Sequence, residues 1–234
     1  MKLADRIVFL SKAYLDEIRD LFGKNYKENK VVLTPNGIDL DLFSSSPKVE
    51  SLDKVVIGMQ SRLVPIKDHK TLLHSISIIK NYSPANNYLL KIAGDWDTLN
   101  FLKKLAIELN IADDIVFLGM LNEKELPNFL NSLDIYVHAS YGETMSTAIM
   151  QAMACGKAIV ASDVDGIKNM IIDGPTGVLV ELKNETSMAD AIFSIVNSEE
   201  LKTTLETNAH EFALTQFSNF QMFAKYSEIF NDTL

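Results

Sequence analysis

Short apolar runs rich in β-branched residues alternate with longer amphipathic stretches over most of this chain. In one such stretch Leu99, Leu102 and Leu105 recur at the spacing that places them on one helix face. Strand–helix alternation is typical of a parallel sheet covered by helices, with right-handed connections. The pattern therefore predicts a Rossmann-like, doubly wound α/β domain over residues 53–212. Its predicted strands are Val55–Gly58, Tyr88–Ala93, Ile115–Leu118, Ile135–Val137, Ala158–Ala161 and Gly177–Val180.

The segment before this domain has too few elements to fold alone. Arg6–Leu10 and Val31–Leu33 have the pattern of strands, and a helix between them is predicted to begin at Ser11 as its N-cap. Because two strands and one helix cannot bury their apolar faces, we expect residues 1–40 to be the end of a further domain. A serine cluster gives residues 41–52 the composition of a linker.

The end of the chain, residues 213–234, has a helical pattern rich in aromatic residues. A last helix is predicted over about Asn219–Phe230. The rings of this region are expected to fill the core or a junction between domains rather than to form a ligand site. They include Phe212, Phe217, Phe220, Phe223, Tyr226 and Phe230.

Composition narrows the class of function. The chain has 234 residues, 47% of them hydrophobic, and 22 Lys and Arg against 31 Asp and Glu give a net charge of −9, which opposes binding to nucleic acid. The single cysteine, Cys155, excludes a disulfide framework and a multi-cysteine zinc site, and we expect it to be buried. No apolar run approaches the roughly 18 residues of a membrane span or a signal-peptide core. We therefore expect a cytoplasmic protein, at most peripheral to the inner face of a membrane.

The residues with candidate chemistry lie in the range 134–177. A predicted strand ends at Ser140, a polar turn carries Glu143, and a helix is predicted to begin near Thr144. Ligands of open α/β sheets bind at the carboxyl ends of strands, and helix N-termini bind anions, so we expect a phosphate site here. Glu143 and Gln151 are about two helical turns apart and are spaced to contact two ends of an elongated ligand.

Six motifs in order along the chain resemble those of the retaining GT-B glycosyltransferases of family 4, also known as group 1. Ala139–Gly156 is similar to the E-x7-E segment of that family, with Gln151 in place of the second Glu. The other similar segments are Val32–Asp39 (V-x-P-N-G-V-D), Ser61–Lys67 (G-R-L-x-x-x-K), Ile92–Asp95 (I-x-G-D), Val116–Gly119 (V-x-F-L-G), and Ala161–Gly166 with Asp173–Gly177 (A-S-D-x-G-G and D-G-x-T-G). The resemblance implies that the chain is the C-terminal, donor-binding half of a GT-B fold with a remnant of the N-terminal domain. It also implies that the last helix, in residues 213–234, crosses back to that N-terminal domain.

The resemblance also implies a function. The chain would bind a nucleotide-diphosphate sugar and, with the N-terminal domain, transfer the sugar with retention to a glycan or lipid-linked acceptor, as in polysaccharide or lipopolysaccharide synthesis. No metal or other cofactor is implied, and the chain alone is expected to be inactive in transfer. Arg62 and Lys67 would clamp the diphosphate, where negative charge develops, and Glu143 would bind donor-sugar hydroxyls, which makes these three the candidate catalytic residues. Family position also implies donor contacts for Gly37, Gly119, Met120, Thr144, Met145, Ser146 and Gln151.

Several positions differ from the family pattern. Gln151 keeps an acceptor oxygen but lacks the charge of Glu, so we expect ribose binding weaker by about 1 kcal/mol. Thr144 and Ser146 replace two glycines and restrict how closely the loop approaches phosphates.

His138 is open to two interpretations, a base or ligand-binding residue and a packed residue, and the packed interpretation is favoured. A non-catalytic nucleotide-sugar-binding or interaction module is the alternative function, and a nucleotide-sugar epimerase is a third.

Overall fold

The computed structural model describes residues 4–13, 15–47, 54–83 and 87–232, which form two parallel sheets and their helices. None of the helices in these ranges is long and apolar enough to cross a membrane. The strands are β1 (Ile7–Phe9), β2 (Val31–Leu33), β3 (Val55–Gln60), β4 (Tyr88–Ala93), β5 (Ile115–Gly119), β6 (Ile135–His138), β7 (Ala158–Ser162) and β8 (Val178–Val180). The helices are α1 (Leu15–Phe22), α2 (His69–Tyr82), α3 (Leu99–Glu108), α4 (Leu126–Asn131), α5 (Thr147–Ala154), α6 (Asp165–Lys168), α7 (Glu185–Val196), α8 (Glu199–Gln216) and α9 (Asn219–Asn231).

The larger sheet has six parallel strands in the order β5-β4-β3-β6-β7-β8. The chain runs outward from β3 to β5 and then returns to the other side of β3 with β6. The order therefore reverses between β3 and β6, where the connections diverge and open a crevice at the carboxyl ends of the strands. The predicted doubly wound α/β fold is confirmed, and each of the six predicted strands is present with ends that differ by at most two residues.

Helices cover both faces of this sheet. On one face Ile57 and Met59 of β3 pack in a buried cluster with residues of α2, α3 and α7. On the other face Val56 packs in a second cluster with residues of α4, α5 and α8. Strands buried on both faces must be apolar at consecutive positions, which explains why they read as continuous β-branched runs rather than alternating ones.

Helix α5 lies close to the sheet because its sequence is rich in small and flexible apolar residues. Ala152, Met153 and Ala154 are fully buried against the second cluster. Ser146 is the N-cap, and its hydroxyl accepts a hydrogen bond from the amide of Ile149. The helix thus begins at Thr147, about three residues later than the sequence pattern predicts.

The N-terminal strands form their own two-stranded parallel sheet, in which Ile7 lies opposite Val31. Their side chains are only partly buried. The prediction that Ser11 caps α1 is wrong, because the helix begins four residues later, at Leu15. The Ser11 hydroxyl instead accepts from the amide of Ala13 and donates to the carbonyl of Thr144, 3.1 Å away. Ser11 therefore joins the N-terminal sheet to the loop before α5.

The described part of the predicted linker packs against the larger sheet. Phe43 is 2% exposed and belongs to the second buried cluster. The side chain of Asn131, in α4, accepts from the amide of Ser46 and donates to the carbonyl of Ser44, both over 3.0 Å. Residues 48–53 lie outside the described residues.

The chain returns to the N-terminal segment at its last two helices. The backbone of Ile38 donates to the carbonyl of Phe217 and accepts from the amide of Asn219, at 2.8 and 3.1 Å. The last helix occupies Asn219–Asn231, close to the predicted range. Phe217 is buried as expected. Three other rings are largely exposed: Phe220 (81%), Phe223 (62%) and Phe230 (64%). A core role is therefore wrong for these three rings, and their place at a domain junction stays a prediction.

Candidate functional site

The candidate site lies where the strand order reverses, at the carboxyl ends of β3 and β6. Ser61 and Arg62 directly follow β3, and a short 3-10 turn, Pro65–Lys67, follows them. The chain after β6 carries Ser140 and Glu143. The sheet thus brings two distant motifs of the sequence to one crevice, the usual ligand position in open α/β folds.

Lys67 and Glu143 meet in this crevice. The Lys67 Nζ donates a short hydrogen bond to the Glu143 Oε1, and the two side chains are 17% and 11% exposed. Their loops are fastened together at Ile66, whose carbonyl accepts from the Tyr141 amide at 2.8 Å and from the Ser140 hydroxyl at 3.2 Å. The two predicted residues therefore form a largely buried ion pair that the backbone holds in place.

His138, at the end of β6, also contacts this carboxylate. Its Nε2 lies 2.8 Å from the Glu143 Oε1, and its Nδ1 lies 3.2 Å from the hydroxyl of Tyr136. The side chain is 1% exposed, and burial lowers its pKa although Glu143 opposes that shift. His138 is thus packed, as the sequence interpretation favoured, and it also contacts a candidate catalytic residue.

These contacts keep Glu143 ionised. Burial alone raises the pKa of Glu143, but the hydrogen bonds and charges of His138 and Lys67 outweigh burial and lower the pKa to about 2. At neutral pH the site therefore presents a carboxylate that accepts hydrogen bonds. Arg62 lies in the loop after β3 and is exposed, and its guanidinium makes no ion pair or hydrogen bond with another described residue.

The loops after β3 and β4 approach each other closely beside Arg62. Gly94 has a φ of +148°, and a Cβ at this position would lie 1.8 Å from the carbonyl oxygen of Ser61. Only glycine fits such an approach. The Ser61 hydroxyl lies 3.0 Å from the Nε2 of His69, whose pKa is lowered to about 4 by burial and by the neighbouring His138 and Lys67. Sequence reasoning placed Ser61 in the Ser61–Lys67 motif without assigning it a role, and it did not identify His69.

The N-terminus of α5 is already engaged by the protein's own groups. The amide of Ser146, a predicted phosphate contact, donates to the Sδ of Met170 at 3.1 Å. The Sδ of Met145 accepts from the amide of Asn36 at 3.3 Å, and the carbonyl of Thr144 accepts from Ser11. Thr144, Met145 and Ser146 therefore surround the crevice and tie it to the N-terminal segment.

Gln151 points back toward the sheet. Its Oε1 accepts a short hydrogen bond from the Nε2 of Gln60, the last residue of β3, which is 7% exposed. The Oε1 of Gln60 is buried and has no hydrogen-bond partner among the described residues. Gln60 was not singled out from the sequence, although a polar residue at the end of an apolar strand is a signal that could have identified it.

Three predicted donor contacts lie away from this cluster. Gly119 ends β5, two strands from β3; it has a φ of +70°, and its carbonyl accepts from the Gly94 amide at 2.7 Å. Met120 follows it and is 69% exposed. The Gly37 amide donates to the Sδ of Met222 at 3.2 Å, so this glycine packs on α9. None of the three makes a hydrogen bond with Lys67 or Glu143 among the described residues.

The architecture defines the class of protein. It is a Rossmann-like domain of a GT-B glycosyltransferase, similar to the crystal structure of Anabaena Alr3699/HepE in complex with UDP, with a TM-score of 0.90 and 21% sequence identity over 99% of this chain and 65% of that one. A family model described as glycosyl transferases group 1 matches residues 43–212. The chain belongs to the group 1 glycosyltransferases, as its motifs predicted.

Curated relatives are similar over most of this chain. One is D-inositol 3-phosphate glycosyltransferase of Stackebrandtia nassauensis, 27% identical over 224 residues, which are 90% of this chain and 50% of that protein. Another is the uncharacterized glycosyltransferase MJ1069 of Methanocaldococcus jannaschii, 26% identical over 98% of this chain and 59% of that protein. The chain thus spans about half the length of the curated relatives it matches.

Proposed function

We propose that this chain is the donor-binding part of a glycosyltransferase that transfers a sugar from a nucleotide diphosphate, with retention, to a glycan or lipid-linked acceptor. One observation carries the proposal: Lys67, Glu143 and His138 meet at the reversal point of the sheet, and Arg62 lies in the loop that follows β3 at the same edge. A nucleotide sugar offers a diphosphate to the cations and hydroxyl groups to the carboxylate. The site therefore has a complementary group for each part of such a donor.

The cations would act on the leaving group. When the bond between sugar and diphosphate breaks, negative charge grows on the departing phosphate oxygen. Arg62 and Lys67 would stabilise that charge more in the transition state than in the ground state, and the loss of one such group typically costs about 10²–10³ in rate. Two cations would supply this stabilisation without a metal ion, so we propose a metal-independent reaction.

Glu143 would orient the sugar. An ionised carboxylate accepts strong hydrogen bonds from hydroxyl groups, and Glu143 is ionised at neutral pH because its pKa is lowered to about 2. For the diphosphate to take Lys67, the Lys67 Nζ must turn from Glu143 toward the phosphate oxygens. The carboxylate then exchanges one protein partner for a substrate hydroxyl.

Uridine nucleotides are the first donors to test. The similar Anabaena structure was solved with UDP and also with UDP-glucose. The acceptor is bound by parts of the protein outside this chain in our proposal, so the chain alone is expected to bind donor without transferring sugar. Localisation in the cytoplasm or at the inner face of a membrane remains a prediction.

Calorimetric titration tests the donor site directly. The purified chain is titrated with UDP, GDP and ADP and with their common sugar conjugates, with and without chelator. We expect one nucleotide family to bind, with equal affinity in chelator, and binding to be lost in Arg62→Ala and Lys67→Ala. Lys103→Ala, which removes an exposed lysine of α3, is the matched control and should bind as wild type does. Unchanged affinity in both site variants would contradict the proposal.

The alternatives are separated with the full-length protein and candidate acceptors. Tight donor binding without turnover would favour a non-catalytic binding module, for which Gln151 in place of a Glu is the motivating observation. Conversion of the donor to an epimer would favour a nucleotide-sugar epimerase. Retained anomeric configuration in a glycosylated product is the outcome that we expect.

A further inference from the structure

We propose that His138 is a positioning residue that holds the Glu143 carboxylate in the orientation in which it binds the donor sugar. The inference rests on the proposed function, because it assigns a role to a residue beside the same site. The geometry that carries it is the 2.8 Å contact between the His138 Nε2 and the Glu143 Oε1, made by a side chain that is 1% exposed.

The hydrogen bonds around His138 define which nitrogen carries the proton. Because Glu143 is ionised, the contact at Nε2 requires an Nε2–H donor. In the neutral imidazole the Nδ1 is then an acceptor, and it lies 3.2 Å from the hydroxyl of Tyr136, which is also within hydrogen-bond distance of the Gln60 carbonyl, at 3.4 Å. The hydroxyl of Ser146 lies 3.4 Å from the same Nε2. The ionised carboxylate of Glu143 therefore selects the tautomer that donates to it, and the hydroxyl groups around the ring hold the imidazole in place.

The position of His138 differs from that of Lys67 in one important respect. Lys67 has a long, flexible side chain in a loop, and the proposed function requires its ammonium group to move to the diphosphate. His138 belongs to a central strand, is buried, and is stacked against Tyr136 with 6.1 Å between ring centroids. It stays in place when Lys67 moves, so its bond keeps the carboxylate aimed at the sugar after the diphosphate has bound.

A packing role alone does not account for this arrangement. Burying an imidazole costs free energy unless its nitrogens find partners, and an apolar side chain of similar size would fill the same space without that cost. Here both nitrogens have polar partners, and one of these is the candidate sugar-binding carboxylate. The expected consequence is selective: loss of His138 should weaken binding of the sugar and leave binding of the nucleoside diphosphate intact.

The test compares UDP-glucose with UDP in wild type, His138→Phe and His138→Gln. Phenylalanine fills the space without a donor, so we expect UDP-glucose affinity to fall about 10- to 100-fold and UDP affinity to stay within about twofold. Glutamine can place an amide N–H near the position of Nε2, so His138→Gln should restore most of the UDP-glucose affinity. A merely structural role would weaken both ligands together and would not distinguish the two variants.

Two outcomes would overturn the inference. Equal losses for UDP and UDP-glucose, or no loss for either in His138→Phe, would show that His138 does not position Glu143, while the donor site itself would stand. If wild type binds GDP or ADP instead of UDP, the same comparison is made with that nucleotide and its sugar conjugate. If wild type binds none of the three nucleotide families, the proposed function fails, and the inference fails with it. Should His138→Phe not fold, His138→Leu, which also lacks a donor, takes its place, and an unchanged UDP-glucose to UDP affinity ratio in that variant would overturn the inference equally.

Discussion

Alanine at position 166 would push directly on the loop that carries Glu143. Gly166 lies in α6 and is buried, and a Cβ there would stand 1.8 Å from the carbonyl oxygen of Glu143, 2.3 Å from its carbonyl carbon and 2.9 Å from that of Thr144. Non-bonded carbon atoms pack at about 3.5–4.0 Å, so the loop or the helix must move by more than about 1 Å. All three atoms belong to the backbone, and therefore no change of rotamer relieves the clash.

Two effects of Gly166→Ala follow. Overpacking of this kind costs about 1–3 kcal/mol, which in a protein of this size lowers Tm by about 2–12 °C. The displaced segment carries Glu143, so UDP-glucose affinity should fall more than UDP affinity. If the proposed transfer reaction takes place, a displacement of about 1 Å is expected to cost about 10²-fold in its rate. Thermal unfolding and calorimetric titration measure the first two effects on this chain.

Two other glycines separate the causes. In Gly58→Ala the new Cβ would meet only the side chain of Leu133, 2.5 Å away in the core, so stability should fall without a change in the UDP-glucose to UDP affinity ratio. Gly174 has a φ of +88° and no neighbour within 4 Å, so alanine there adds only backbone strain. A Gly166→Ala protein with wild-type Tm and wild-type affinity ratio would refute the reasoning.

Three further predictions concern stability and affinity. The pKa of His69 is lowered from 6.5 to about 4 in the folded protein, so the unfolded chain takes up a proton first as pH falls. Up to about 3 kcal/mol of the stability present above pH 6.5 should therefore be lost by pH 4. In His69→Gln this group is absent, so Tm should vary less over the same pH range. Gln151→Glu keeps the acceptor for Gln60 and adds a charge, so nucleotide affinity should rise about fivefold by titration, and an equal or lower affinity would contradict this. Asn131→Ala leaves two backbone groups near Ser46 unpaired and should cost about 1–3 kcal/mol in denaturant unfolding, whereas an unchanged midpoint would mean that water replaces both bonds.

The sheet could be predicted from the sequence because its signals are local. A parallel strand buried on both faces is a short apolar run, and a helix between two such runs reveals itself by its spacing. The family motifs then placed Lys67 and Glu143 at one site, and the structure brings these two residues into contact. The order of the elements along the chain and the parallel type of the strands were sufficient to predict the sheet and the meeting of these two motifs.

The remaining parts of the site depend on contacts between distant residues. His138 contacts Glu143 only because the turn after β6 folds back over the strand end, and Gln60 meets Gln151 only because α5 packs on β3. Neither pair has a spacing that signals contact. The exposure of Phe220 was not predicted for a related reason. An aromatic residue in an amphipathic pattern predicts burial, but the pattern does not show which part of the protein would cover the ring.

Three methionine sulfurs accept backbone amide hydrogen bonds near the N-terminal segment and the start of α5. These contacts are sensitive to oxidation of the sulfur. The thioether of Met170 is buried, but those of Met145 and Met222, which receive the amides of Asn36 and Gly37, are partly exposed. Peroxide converts an accessible thioether to a sulfoxide, which is larger, more polar and chiral. Oxidised preparations would therefore have an altered junction between the N-terminal strands, α5 and α9, so measurements on this chain belong in freshly reduced, peroxide-free buffer.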